Sequence, residues 1–471
     1  MALSPEPVKQ HYQLVIIGGG PTGLSAAVAA AGQGVEVALL DDQKQPGGQI
    51  YRAMESVPAD RAQLLGSEYQ RGDQLVQAFR QSGVAYFPET QVWSLNTERL
   101  IGFNSAGKPA MIQADRVILA NGAMERPVPF AGWTLPGVMN AGAGQILFKA
   151  HGIVPEDGVV LAGSGPLLLL LATQYLHAGV KIGQILDLTP MRNHLRALPH
   201  LPRALLARHY LLKGLAYKKE LKLAGINTLH NVSDLRAHGE HKLQSISFNH
   251  QGNPRQIDTN LLLVHFGVIP HSHLARSAGC THSWNKLQQC WHPDFDDWGN
   301  SSVRGIQIAG DGAAIGGART AEHAGRVVAF EAACALGKIS RSERDVLARE
   351  DQQWMREELN LRPFLDAFFH IPQKMLKVPD DDTIVCRCEE ITAGQIRQAV
   401  AYGHHDSNQV KFLTRSGMGA CQGRQCEQAV ANIVAAAGGQ SLDEGGHYRG
   451  RPPITPLTLG QLATLFPEER E

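Results

Sequence analysis

The first apolar run, Leu14-Val15-Ile16-Ile17-Gly18, has no polar alternation, the pattern of a parallel strand buried on both faces. Gly18-Gly19-Gly20-Pro21-Thr22-Gly23 follows, and then LSAAVAAAGQG, which predicts a small-residue helix ending at Gly32 or Gly34. A second apolar run, VEVALL at 35–40, ends in Asp41-Asp42. Together these predict a strand–turn–helix–strand unit with an acid about 20 residues beyond the glycines, a far more specific context than the glycines alone. The rhythm recurs at Val159-Val160-Leu161-Ala162-Gly163-Ser164-Gly165-Pro166, where the leucines 167–171 start a buried helix and VKIGQILD ends at Asp187. It returns at 305–312, GIQIAGDG, an apolar strand leading into AAIGGARTAEHAGRVVAFEAACALG. Residues 191–260 read as helical and then β-rich, and completing the central unit falls to them. From about residue 340 the chain turns charged and helical, PQKMLKVPDDD reads as a linker, and a cysteine-bearing segment follows.

The first glycine turn has a specific physical logic. Gly18 permits the tight turn, Gly20 lets the backbone approach a pyrophosphate, and Gly23 lets helix and strand pack closely. The helix N-terminus adds free N–H groups and partial positive charge, and Asp41, rather than Asp42, sits where a carboxylate accepts from an adenosine ribose. Pro46-Gly47-Gly48-Gln49-Ile50 follows the second strand as a further glycine loop. The 305–312 segment resembles the second FAD fingerprint of two-dinucleotide-domain flavoproteins, in which the aspartate binds the ribityl chain. Val117-Ile118-Leu119-Ala120-Asn121-Gly122-Ala123 resembles their "ATG" strand end, with Asn121 in place of the usual Thr. This resemblance assigns FAD to Gly18, Gly20, Pro21, Thr22, Gly23, Asp41, Gly48, Gln49, Val92, Ala120, Gly122, Gly310 and Asp311. In the second turn Leu168 stands at the third glycine position, so close packing there is lost. Two readings of that unit stay open: an NAD(P)H site, or a nucleotide-type fold that is vacant or holds another nucleotide such as ATP.

The chain has 471 residues, enough for about three domains. Lys plus Arg equal Asp plus Glu at 44 each, which argues against nucleic acid or an anionic membrane as the main partner. No apolar run approaches the 18 or so residues of a membrane span, and MALSPEPVKQHYQ lacks the apolar stretch of a signal peptide. A cytoplasmic location is expected, and the seven cysteines read as thiols or metal ligands rather than disulfides. Cys280, Cys290 and Cys334 show no pairing pattern and are expected to be buried thiols. The six histidines from His265 to His323 lack metal-ligand spacing and any evident carboxylate partner. No base–nucleophile pair stands out, so no catalytic residue is assigned.

The cysteine segment reads Val385-Cys386-Arg387-Cys388-Glu389-Glu390, then TRSGMGACQGRQC ending in Cys421 and Cys426. Four thiolates can hold zinc or an iron–sulfur cluster; C-x-C with C-x-x-x-x-C fits zinc knuckles poorly. Arg387, Arg415 and Arg424, with the glycines 417, 419 and 423, offer the charge and N–H groups that favour an anionic [2Fe–2S] cluster. The segment resembles bacterioferritin-associated-ferredoxin-like (BFD-like) [2Fe–2S] domains. GGGPTGLSAA, PGGQIYR, ERPVPFAGWTLPGV, GSGPLLLL, LARSAGC, AGDGAAIGGA and RPPITPLTLGQLA extend the resemblance, over roughly residues 12–465, to the FAD- and [2Fe–2S]-containing subunit of multi-subunit amine dehydrogenases. That family includes D-hydroxyproline dehydrogenase α subunits, opine oxidase A subunits and hydrogen cyanide synthase B subunits.

The resemblance implies an α/β two-dinucleotide-domain flavoprotein with a small α-rich C-terminal [2Fe–2S] domain. Expected boundaries are 1–150 and 260–338 for a discontinuous FAD domain, 151–259 for the inserted nucleotide-type domain, 339–380 for a helical linker, 381–440 for the cluster domain and 441–471 for a tail. The prolines of RPPITPLTLGQLA are expected to keep that part of the tail extended. The family further implies a D-amino-acid-oxidase-type β subunit with its own FAD, a small [2Fe–2S] subunit, a downstream electron acceptor and, in some relatives, FMN at a subunit interface. Peripheral contact with the inner membrane is part of the same expectation. On this reading the chain passes electrons and a partner oxidises the amine; the alternative is a self-sufficient NAD(P)H-dependent flavin/[2Fe–2S] reductase.

Overall fold

A computed structural model of the chain describes residues 9–465. Six strands, β1 (His11–Ile17), β2 (Val37–Leu40), β3 (Ala85–Phe87), β4 (Thr90–Leu95), β5 (Leu100–Ser105) and β6 (Lys108–Leu119), form one sheet in the order β3-β2-β1-β6-β5-β4. Strand Ile306–Ile308, from two hundred residues downstream, joins it in parallel beside β6. Register pairs Ile17 with both Leu40 and Leu119, and Leu119 with Ile308. The turns at Gly18, Ala120 and Gly310 therefore emerge together at the carboxyl end of the sheet, where ligands of open α/β sheets bind.

Both faces of β1 are buried, as its unbroken apolar pattern requires. Leu14 and Ile16 pack in one core with helix Pro21–Gly32 and helix Ala318–Ala335, while Val15 and Ile17 pack in another with Phe103, Ile112 and Ile306. The two helices cross at Gly325, where a Cβ would meet the Thr22 carbonyl oxygen at 2.3 Å. A second parallel sheet runs Thr228–His230, Ile182–Asp187, Val159–Gly163, Leu262–His265, Val138–Asn140. The antiparallel sheet of Val232–His238, Ser245–His250 and Asn253–Asp258 lies beside it in the chain. Between residues 192 and 223 the chain is helical, ending in the long helix Arg208–Leu223.

Three expectations change in detail. The leucines 167–171 do open a helix, Pro166–His177, but only Leu168 and Leu171 are core residues; Leu167, Leu169 and Leu170 line a cavity. Cys334 is half-buried rather than buried. In the tail, Pro452, Pro453 and Pro456 keep 451–457 free of helix, but a Thr458–Gln461 capping box starts a short helix at Leu459–Ala463. Ile454 donates its N–H to the Trp93 carbonyl and buries its side chain in the core behind β1.

Candidate functional site

The turn after β1 is held open by its glycines. A Cβ on Gly23 would stand 1.9 Å from the Gly18 carbonyl oxygen, so only glycine lets the helix start this close to the strand. Gly18 has φ +110°, and a Cβ there would press on the Ala120 carbonyl at 2.4 Å. Gly20 is different: its nearest neighbour is the Gly48 Cα at 3.9 Å, which leaves the N-terminus of the helix open to a ligand. Gly310 lies against Thr22, whose Oγ1 would be 1.9 Å from an added Cβ. Gly23 and Gly310 thus bring elements together, whereas Gly18, Gly20, Pro21, Thr22, Asp41, Gly48, Gln49, Val92, Ala120, Gly122 and Asp311 all line one cavity of about 1420 Å³.

Asp41 is buried at the end of β2, while Asp42 is exposed. Burial, with help from the Asp42 charge, pushes the Asp41 carboxyl up to about 6. Tyr86 donates to its Oδ2 at 3.3 Å and the Gln43 N–H to its Oδ1 at 3.3 Å. The Asp311 Oδ1 accepts from the Gly316 and Gly317 N–H groups at 2.8 and 2.9 Å, which fixes the carboxylate on the cavity wall. Gln49 is held by Arg52, and the buried Lys149 donates to the Gln49 and Ile50 carbonyls at 3.1 and 3.0 Å. Burial lowers the Lys149 ammonium to about 7. Lys149 escaped the sequence reading, since nothing in AGQILFKAHG marks a lysine that clamps a loop a hundred residues away.

The cavity exceeds the roughly 300–1,000 Å³ of an ordinary small-molecule site and continues to the second glycine turn. Gln145 and Gln174, both buried, hydrogen-bond each other at 2.9 Å along its wall. His265, nearly fully buried, stands against Gly165 and bonds through Nδ1 to Glu125 at 2.6 Å; Glu125 also accepts from the Gly142 N–H. His273 and His323 face Glu427 and Asp351, so three of the six histidines in that stretch do have carboxylate partners, all supplied by remote segments. The rim of the second turn is covered by the chain itself. Ser164 donates to the Phe369 carbonyl at 3.5 Å, and Asn193 donates to those of Phe368 and His370 at 2.9 and 2.8 Å.

The four C-terminal cysteines converge although they are 40 residues apart. Cys386 and Cys426 are buried, Cys421 is half-buried and Cys388 is exposed. Cys386 interacts with Cys426, and Cys421 with Cys388. The Cys426 contact, joined by N–H groups of Gly417, Glu389 and Cys388, draws the Cys386 thiol down to about 6. The N–H groups of Gln425 and Gly423 point at Cys421. Among the described residues no three His, Cys, Asp or Glu side chains converge as ligands of a single ion would. Thiols meeting in pairs, with backbone donors at Cys386 and Cys421, fit a binuclear iron–sulfur cluster.

The cluster segment is bolted to the rest of the fold. Trp133 donates to the Ile384 carbonyl at 2.6 Å with Arg387 over its ring, and Arg276 forms a buried ion pair with Glu427, next to Cys426. Arg415 pairs with Glu389, and Arg424 donates to the Cys421 carbonyl. Arg424 and Gln425, between the last two cysteines, line the same cavity as the first glycine turn, beside His271. Burial, then the Arg424 charge, holds His271 down near 4. Among the described residues no cysteine lines this cavity, so it offers no dithiol for disulfide chemistry.

Comparison with known proteins agrees with this architecture. Residues 12–346 match the pyridine nucleotide-disulphide oxidoreductase family and residues 384–436 the BFD-like [2Fe-2S] binding domain. The chain is 39% identical to an opine oxidase A subunit of Rhizobium meliloti, covering 97% of this chain and 88% of the relative. It is 30% identical to hydrogen cyanide synthase subunit HcnB of Pseudomonas aeruginosa, over 96% and 99%. The crystal structure of L-proline dehydrogenase from P. horikoshii shares the fold, with a TM-score of 0.69 at 19% identity over 96% of this chain and 79% of that one. The chain belongs to the family of flavin oxidoreductases that includes the opine oxidase A subunits and HcnB, with FAD and a [2Fe–2S] cluster as its cofactors.

Proposed function

We propose that this chain is the electron-passing subunit of a heteromeric amine or amino-acid dehydrogenase. Its FAD site comprises the first glycine turn, Asp41, the Gly48-Gln49 loop and Asp311, and Cys386, Cys388, Cys421 and Cys426 are the cluster ligands. A flavin exchanges electrons in pairs or singly and a [2Fe–2S] cluster takes one at a time. The chain's own residues supply position. Gly20 and the helix behind it face the pyrophosphate, Asp41 the ribose, Asp311 the ribityl chain, and Lys149 keeps the Gly48-Gln49 loop in place. The observation that carries the reading is the shared cavity, whose wall includes both that turn and the Arg424-Gln425 pair between two cluster ligands.

The amine, an opine, D-hydroxyproline or a related secondary amine (glycine in cyanide-synthase relatives), is oxidised on a β subunit of the D-amino-acid-oxidase type. A downstream acceptor and a small [2Fe–2S] subunit complete the path, and an FMN at the subunit contact belongs to the same proposal. The relatives named as subunits support it. A self-sufficient NAD(P)H reductase is the weaker reading, because Ser164 at the second turn already bonds to the carbonyl of Phe369, in a segment that Asn193 also holds. A cytoplasmic location with contact to the inner membrane fits residues 191–223, which hold eight Lys and Arg against one Glu and expose Leu195, Leu206, Leu212 and Leu223.

The test is to co-purify the chain with its native associates and reduce the sample anaerobically with opines, D-hydroxyproline, glycine or NADH. Flavin and cluster bleaching by an amine, only when the partner is present, is the expected result. Catalytic bleaching of the isolated chain by NADH would make it a reductase.

A further inference from the structure

Tyr448 lies outside the 384–436 stretch of the cluster domain and comes from the tail, yet it packs against the cysteine-bearing loop. Its ring fills the space left by two glycines of the ligand loop. A Cβ on Gly417 would come within 2.2 Å of Tyr448 Cε2, and one on Gly423 within 2.7 Å of Cδ2; both glycines have positive φ. The ring is 3% exposed. The Tyr448 N–H donates to Glu427 at 3.1 Å, and the hydroxyl contacts both the Cys426 sulfur and, at 3.1 Å, Ser416 Oγ. Ser416 Oγ lies in turn 2.9 Å from Thr414 Oγ1.

The proton order along this chain follows from the end group. A ligating thiolate only accepts, so the phenol must donate to Cys426, and the phenol oxygen is then free to accept from Ser416. Thr414 gives its one hydroxyl proton to the Val410 carbonyl at 2.7 Å, so the order toward the sulfur begins at Ser416. Reduction adds negative charge to the cluster and its thiolates. A donor already aimed at one sulfur stabilises the reduced form more than the oxidised one and raises the potential.

We infer that Tyr448 is a positioning residue of the cluster site, setting its reduction potential through a hydrogen bond from its hydroxyl to Cys426, with Ser416 orienting that hydroxyl. This rests on the four-cysteine ligand reading. Tyr448→Phe keeps the ring between the two glycines and removes only the hydroxyl; Ser416→Ala removes the group that orients it.

The experiment is an anaerobic redox titration of the purified full-length chain, followed by the electron paramagnetic resonance of the reduced cluster, with iron content measured in parallel. The expected result is a midpoint more negative in Tyr448→Phe than in wild type, and a smaller shift in the same direction in Ser416→Ala. Full iron content with an unchanged midpoint in Tyr448→Phe overturns the inference while leaving the ligand reading intact. Should Tyr448→Phe lose iron, Ser416→Ala decides alone: an unshifted midpoint there also overturns it. A wild-type chain without the [2Fe–2S] signal overturns the ligand reading and the inference with it.

Discussion

Glu427→Gln removes the charge of a residue that is 8% exposed and holds Arg276, equally buried, across the contact between the cluster segment and the rest of the chain. His273 Nε2 also faces Glu427, at 3.4 Å, and no other carboxylate forms an ion pair with Arg276 among the described residues. The glutamine side chain keeps the volume and the oxygen that accepts from both the Tyr448 N–H and Arg276, so the loss isolates the countercharge of the buried guanidinium. Breaking a buried pair in this way costs about 3–5 kcal/mol. With a urea dependence of about 2 kcal/mol per M, the midpoint for bleaching of the cluster should fall by about 2 M. Arg276→Met with Glu427→Gln removes both charges and should recover most of that loss, a coupling of about 3 kcal/mol. The assay is urea titration of wild type, both single variants and the double variant, followed by visible absorbance of the cluster. A Glu427→Gln midpoint within about 0.3 M of wild type, or a double variant no more stable than Glu427→Gln, refutes the reasoning.

Two glycine variants should separate packing from ligand contact. Gly23→Ala places a methyl 1.9 Å from a backbone oxygen and should yield protein that retains no FAD, whereas Gly20→Ala has room to fold and should lose FAD affinity alone; thermal melts with FAD absorbance distinguish them. Asp41, raised from 3.8 to about 6 by burial, penalises the flavin-free fold as pH rises from about 4 to 6, and fully above that. Asp41→Asn should therefore stabilise the flavin-free protein by up to about 3 kcal/mol at pH 7.5 and by nothing at pH 3.5, as urea titrations can check. In the wild type, FAD affinity measured by fluorescence quenching should weaken as pH falls below 6, because the ribose loses its carboxylate acceptor. Lys149→Met leaves the Gln49 and Ile50 carbonyls without their donor and should raise the FAD dissociation constant by about tenfold or more, read in the same titration.

What the sequence made legible is what backbone geometry imposes. Gly18, Gly23 and Gly310 are glycines because an oxygen of a neighbouring segment occupies the place of a Cβ, and that requirement writes itself into a local pattern. The cysteine spacing was legible for a similar reason, since four thiolates on one short segment have few other uses. Contacts between distant segments were not. Glu125 reaches His265, Glu427 reaches Arg276 and Tyr448 reaches Cys426 through tertiary packing that leaves no periodic trace. The leucines 167–171 misled in a smaller way: a helix facing a cavity needs the same apolar residues as one facing a core. Cys334 shows the converse, since composition alone does not say how deeply a thiol sits.

The central claim is that one cavity joins flavin and cluster into a single relay, and rapid-freeze electron paramagnetic resonance tests it most directly. The flavin of the purified chain is reduced anaerobically and the cluster signal is followed in time, in wild type and in Cys421→Ser, with acceptor reduction measured alongside. The expected result in wild type is prompt appearance of the reduced cluster. In Cys421→Ser the flavin should bind normally but pass electrons to the external acceptor poorly. A wild-type cluster that stays oxidised beside reduced flavin, or a Cys421→Ser chain that reduces the acceptor at the wild-type rate, would contradict it.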